Sequence, residues 1–129
     1  MISIEHDRAK FAYDKIKNFF GSFHGDENAK KMMKKEFKSW ASKFPTMIST
    51  CGLLQAVSFY SDKEKGKKVC NILTEWLKEI RMIELNQNCN TLLNYLLEID
   101  DFKKYLIIQK ESLKFLTWVK RFASILEKE

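Results

Sequence analysis

An all-α fold is what this sequence predicts: a compact helical bundle of five to six helices, in a single domain over residues 1–129. Three observations carry that expectation. Apolar residues recur at helical rather than strand spacing along most of the chain. Four glycines and one proline are too few breakers for the many turns of a β-sandwich or barrel. The 129 residues are 45% apolar and include ten phenylalanines, four tyrosines and three tryptophans. That is enough large side chains to fill one core without staples.

The elements follow in order. Phe11, Ala12, Ile16, Phe19 and Phe20 share one face of a first helix over residues 3–20, and Gly21 and Gly25 mark its end and the turn beyond. Asp26 is a natural N-cap for a second helix. Its stripe is Ala29, Met33, Phe37, Trp40 and Phe44, with Lys31, Lys34, Lys35 and Lys38 on the other side. Pro45 suits the first turn of a third helix. Met47, Ile48, Cys51, Leu53, Leu54, Val57 and Phe59 point all round that helix, as in a segment buried mid-bundle. Gly52 inside it costs about 1 kcal/mol relative to Ala, a loss that close approach of a neighbouring helix would offset. Residues 44–61 carry no charge, but Pro45, Ser49, Thr50, Gly52 and Gln55 fit a buried central helix better than a membrane span.

A charged turn over 61–66 leads to a fourth helix with a narrow stripe of Val69, Ile72, Leu73, Trp76, Leu77, Ile80 and Ile83. Residues 86–90 read as a turn, and a short helix occupies 91–99. Asp100 or Asp101 caps the last helix, which reaches about residue 126. Its core face is Tyr105, Ile108, Phe115, Val119, Phe122 and Leu126. On the helical wheel Lys110, Lys114, Thr117, Arg121 and Lys128 form one strip beside that face, with Trp118 and Ile125 on the border and Leu113 on the polar side.

Little here supports catalysis. Cys51, Cys70 and Cys89 stand 19 residues apart, and His6 and His24 make no CxxC, HxxxH or HExxH spacing, so no metal site is expected. No nucleophile–base signature occurs, Asp100–Asp101 is explained by capping, and the scattered glycines form no phosphate loop. No catalytic residues and no cofactor are therefore expected. The odd cysteine count argues against a disulfide framework and for a reducing cytoplasm, and the charged start MISIEHDRAK lacks the apolar stretch of a signal peptide. Cys51 and Cys70 read as small buried hydrophobes. What remains is charge: 23 Lys and Arg against 17 acids, a formal net charge of +6. Basic helix faces can follow a phosphate backbone without reading sequence, and lysines can equally just solvate a helix.

Three stretches add a resemblance. Arg8, Phe11, Ala12, Tyr13 and Ile16 are similar to a first-helix pattern of Arg followed by an aromatic–Ala–Tyr unit. Phe44-Pro45-Thr46-Met47-Ile48, with Gly52-Leu53-Leu54-Gln55 and the later Phe59, resembles a proline-opened central helix. Asp101-Phe102, Lys110-Glu111, Leu116 and the run Trp118-Val119-Lys120-Arg121-Phe122-Ala123 resemble a closing helix. Together they resemble the small subunit of type III-B CRISPR (Cmr) effector complexes, over nearly the whole chain except residues 21–39 and 61–98. The resemblance implies a non-catalytic subunit in an RNA-guided ribonucleoprotein of antiviral defence. Its implied partners are the other Cmr subunits, both the repeating backbone and the large cyclase-like one, with guide and target RNA. The basic, moderately apolar composition leaves self-association open, with no face located for it, and membrane attachment is not expected. Carried over by position, Arg8, Lys110, Lys120 and Arg121 are the expected RNA contacts, and Lys114 joins them from the wheel alone. Arg8 has the alternative of pairing with an acid; Gly52, Leu53, Leu54 and Gln55 read as structural, with Gln55 expected to satisfy a buried polar neighbour. The small subunit of the related type III-A complex, or a helical protein–protein module whose lysines only solvate, are the competing readings.

Overall fold

A computed structural model describes residues 3–129. Six helices follow one another: α1 (Ile4–Gly21), α2 (Glu27–Cys51), α3 (Leu53–Ser61), α4 (Glu64–Glu79), α5 (Leu92–Glu98) and α6 (Phe102–Glu127). The described residues form no strand. The all-α bundle read from the periodicity is the observed architecture.

Side-chain caps set four of the helix starts. Ser3 accepts from the His6 N–H, Asp26 from Ala29, Thr91 from Asn94, and Asp101 from Lys103 and Lys104. Each satisfies amide groups that the first turn leaves without a partner. Arg81, in the left-handed region at φ 58°, closes α4, and the Met82 N–H returns to the Leu77 carbonyl at 2.9 Å.

The middle of the chain departs from the expectation. Pro45 opens no helix; it lies inside α2, which runs on to Cys51. A mid-helix proline costs about 3 kcal/mol. However, Phe37, Ala41, Phe44 and Ile48 stay in phase across it, and all four are buried. Burying Phe44 and Ile48 alone contributes about 1.5–3 kcal/mol each, enough to offset the break.

The chain stops being helical at Gly52 instead, at φ 89° and ψ 162°, a conformation open essentially only to glycine. Close approach is not the reason for this glycine, since a Cβ there would meet only the Tyr105 hydroxyl at 3.6 Å and Gln109 Oε1 at 3.9 Å. The joint re-phases the helix, so the uncharged stretch is not buried all round. Cys51, Gln55, Ser58 and Phe59 face outward, which corrects the expectations of a buried Cys51 and of a Gln55 serving a buried neighbour. The Leu53 and Leu54 amides exposed by the break are satisfied from α6, donating to Gln109 Oε1 and Tyr105 Oη at 2.8 Å each.

Those contacts also orient the long helices. The C-terminal end of α2 lies at the start of α6, while Lys34 donates to the Glu129 carbonyl at 2.8 Å and Lys38 pairs with Glu127 at 3.5 Å. α2 and α6 are therefore antiparallel. α1 runs parallel to α6, because Arg8 meets Glu111, Phe11 meets Phe115 and Tyr13 meets Phe122. One core lies between them, with Trp76 stacked on Phe115 at 5.1 Å and Phe44 on Tyr60 at 3.9 Å. Gly66 sits inside α4 rather than in a turn. It lets that helix close on α2, since a Cβ there would come within 3.3 Å of the Trp40 ring and 3.0 Å of the Tyr60 carbonyl.

Candidate nucleic-acid interface

The helix pairing decides where the basic side chains go. α6 buries Ile108, Glu111, Ser112, Phe115, Leu116, Val119, Ala123 and Leu126, one continuous arc. Lys110, Lys114, Thr117 and Arg121 recur at i, i+4, i+7 and i+11 along one strip outside that arc, and all are exposed. Where α1 lies alongside this strip, the two helices enclose a groove of about 490 Å³. It is lined by Glu5, Arg8, Lys114, Thr117, Trp118 and Arg121.

The aromatic border is built, not incidental. Trp118 stacks on Phe122 at 5.6 Å with the ring planes 21° apart, and Phe122 meets Tyr13 of α1 edge-on at 5.4 Å. The Arg121 guanidinium carbon lies 5.6 Å from the centre of the Trp118 ring, within cation–π range. Thr117 donates its hydroxyl to the Leu113 carbonyl at 2.9 Å, which leaves the oxygen's acceptor side to the groove.

Arg8 stands apart from the other expected contacts. It is only 8% exposed, and its Nε and Nη2 donate to Glu111 Oε2 and Oε1 at 2.6 and 2.7 Å. Trp76 Nε1 donates to the same carboxylate at 2.9 Å. Of the two alternatives read from the sequence, pairing with an acid is the arrangement present. The cause is position: Arg8 shares the inward face of α1 with the buried Ala12 and Ile16, so its charge needs a partner inside. The hydrogen bonds to Glu111 hold the guanidinium pKa above its ordinary value despite burial. For Glu111 burial pushes the other way, but hydrogen bonds from Arg8 and Trp76, with the Arg8 and Lys114 charges, hold it below the usual carboxylate range.

Lys120 is also set apart. It is exposed, but six residues from Lys114 place it about 120° round the helix, outside the groove. The α2 lysines divide: Lys34 and Lys38 pack against the end of α6, Lys34 also lying 5.6 Å from the centre of the Phe20 ring, while Lys31 and Lys35 are exposed. His6 and His24 are exposed, and all three cysteines are free thiols. Among the described residues no helix is long and apolar enough to cross a membrane.

The sequence places Glu111 in the closing-helix motif and Trp76 in the apolar stripe of the fourth helix but gives neither a role at a site, and Glu5 is not named from it at all. A signal for the first existed: Glu111 is the one acid within the apolar arc of α6, as Arg8 is the one base within that of α1. Two opposite charges on inward faces of different helices are worth pairing before either is given to a ligand.

Comparison with known proteins bears on this geometry. A family model described as CRISPR-associated protein (Cas_Cmr5) matches residues 4–126. The chain is also similar to the X-ray crystal structure of a CRISPR-associated Cmr5 family protein from Thermus thermophilus. The TM-score is 0.70 at 24% identity, with 98% of each chain covered, a likeness of fold.

Proposed function

This chain belongs to the Cmr5 family of CRISPR-associated proteins, and on that premise we propose that it is the non-catalytic small subunit of a type III-B CRISPR–Cas effector. In this reading it folds as one domain, works in the cytoplasm with the other Cmr subunits, backbone and cyclase-like, and helps to hold guide or target RNA. The observation that carries the RNA role is the alignment of Lys110, Lys114 and Arg121 along one exposed arc of α6. Contacts of this kind grip phosphates and leave sequence selection to base pairing. Lys120 lies outside that path and has at most a separate contact.

Stacking of copies fits the polarity of the bundle. Exposed Phe102 and Leu106 stand at one end of the antiparallel α2–α6 pair. At the other end Phe19, Phe23, Met32, Met33 and Phe37 line an apolar groove of about 620 Å³. Unlike surfaces at opposite ends suit head-to-tail association.

The test of the RNA role is anisotropy of labelled RNA with the wild type and with Lys110→Glu/Lys114→Glu/Arg121→Glu. Salt-sensitive binding that collapses in a triple variant of unchanged helicity supports it. Equal binding by both proteins favours the competing reading, a protein–protein module whose lysines only solvate.

A further inference from the structure

A strip that only follows phosphates needs cations and nothing more. The groove between α1 and α6 holds more. One wall is the Trp118 indole, fixed by its stack on Phe122 and the edge contact of Phe122 with Tyr13. Lys114 and Arg121 lie two turns apart on α6, about 10.5 Å along the axis, a span their long side chains can close around one anion. Glu5 places a carboxylate on the α1 side and Thr117 a hydroxyl oxygen on the α6 side. Phosphates alone leave Glu5, Thr117 and the Trp118 ring without a partner. A single ligand that carries one phosphate, a flat ring and hydrogen-bond donors would find a partner for each part.

We infer that this groove seats one unstacked nucleotide of a single strand, its phosphate between Lys114 and Arg121 and its base against Trp118. The inference rests on the reading of the α6 strip as an RNA path, and it adds a preference that the strip alone lacks. A base inside a duplex is covered on both faces by its neighbours and cannot reach an aromatic wall recessed between two helices, whereas an unpaired base can. The volume of about 490 Å³ suits one small, flat ligand rather than a helix. Arg8, which lines the groove, is neutralised by its pairing with Glu111, so the free positive charge there is on Lys114 and Arg121.

The test has two parts. In the first, the Trp118 indole N–H resonance of the wild type, identified by its absence in Trp118→Phe, is followed during titration with uridine 5′-monophosphate and, separately, with inorganic phosphate. The inference predicts a saturable shift with the nucleotide and a much smaller one with phosphate; equal shifts, or none, overturn it. In the second, a single-stranded RNA and the same sequence as a duplex are bound to the wild type, Trp118→Phe and Trp118→Leu. Trp118→Leu should weaken the single strand about tenfold, leave the duplex unchanged, and be largely rescued by phenylalanine. If all three proteins bind the single strand equally and salt-dependently, the α6 strip stands and the nucleotide seat falls. If the wild type binds neither RNA, both fall.

Discussion

The Arg8 guanidinium and the Glu111 carboxylate, 103 positions apart in sequence, meet through two parallel hydrogen bonds of 2.6 and 2.7 Å. Trp76 of α4 donates to the same carboxylate, so three helices share one buried charge pair and the groove lining is tied to the core. Fork-to-fork Arg–carboxylate pairs add geometry as well as energy.

Breaking that pair from one side leaves a buried charge alone. Arg8→Ala should lower stability by about 3–5 kcal/mol in urea unfolding. Adding Glu111→Gln should recover part of the loss, because the amide removes the charge and still offers an oxygen to Trp76. A double variant no more stable than Arg8→Ala contradicts this account.

The same pair sets an acid limb. The folded pKa of Glu111 lies below its ordinary value, and the unfolded value is about 4.3. The contribution is therefore complete above about pH 4.3 and is lost as pH falls through the lower, folded value. Below about pH 4.3 wild-type stability should fall more steeply than that of Glu111→Gln. Parallel curves from denaturant titrations at stepped pH contradict it.

Two glycines should respond for different reasons. Gly52→Ala forces a Cβ into a backbone conformation at φ 89° and should cost about 1–3 kcal/mol, although the space is open. Gly66→Ala has an ordinary helical backbone, where alanine would normally gain about 1 kcal/mol. Its Cβ would press on the Tyr60 carbonyl at 3.0 Å and the Trp40 ring at 3.3 Å, so the gain should vanish or reverse. Stabilisation by either substitution in thermal unfolding is the opposing result.

Phe102 is 71% exposed and Leu106 41%, so Phe102→Asp/Leu106→Asp should leave stability within about 0.5 kcal/mol. On the stacking proposal the pair should nevertheless abolish concentration-dependent self-association in sedimentation velocity. Association that persists unchanged removes this end as a contact.

Much of the fold was legible because burial imposes one period on each helix. The stripes of α1, α4 and α6, the caps Asp26 and Asp101 and the turn at 86–90 all express local chemistry. The α2–α3 joint was misread because Pro45 and Gly52 each have a local meaning that tertiary packing overrode. Phe44 and Ile48 carry the helix through the proline, and only Gly52 can take the angle at which it breaks. The site was half legible. The spacing of Lys110, Lys114 and Arg121 fixes their common arc, whereas the engagement of Arg8 by Glu111 and of Lys34 and Lys38 by the end of α6 depends on which helices become neighbours, and no single helical wheel contains that information.

The most direct test of the central claim, that RNA phosphates follow the α6 strip, is the salt dependence of single-stranded RNA affinity for three proteins: the wild type, Lys114→Ala/Arg121→Ala and Lys120→Ala. Each phosphate contact on a single strand contributes about 0.7 to the slope of log affinity against log salt. The paired substitution should lower the slope by about 1.4, two contacts' worth, while Lys120→Ala leaves it unchanged. A paired variant with the wild-type slope, or a Lys120→Ala loss as large as that of the pair, contradicts the claim.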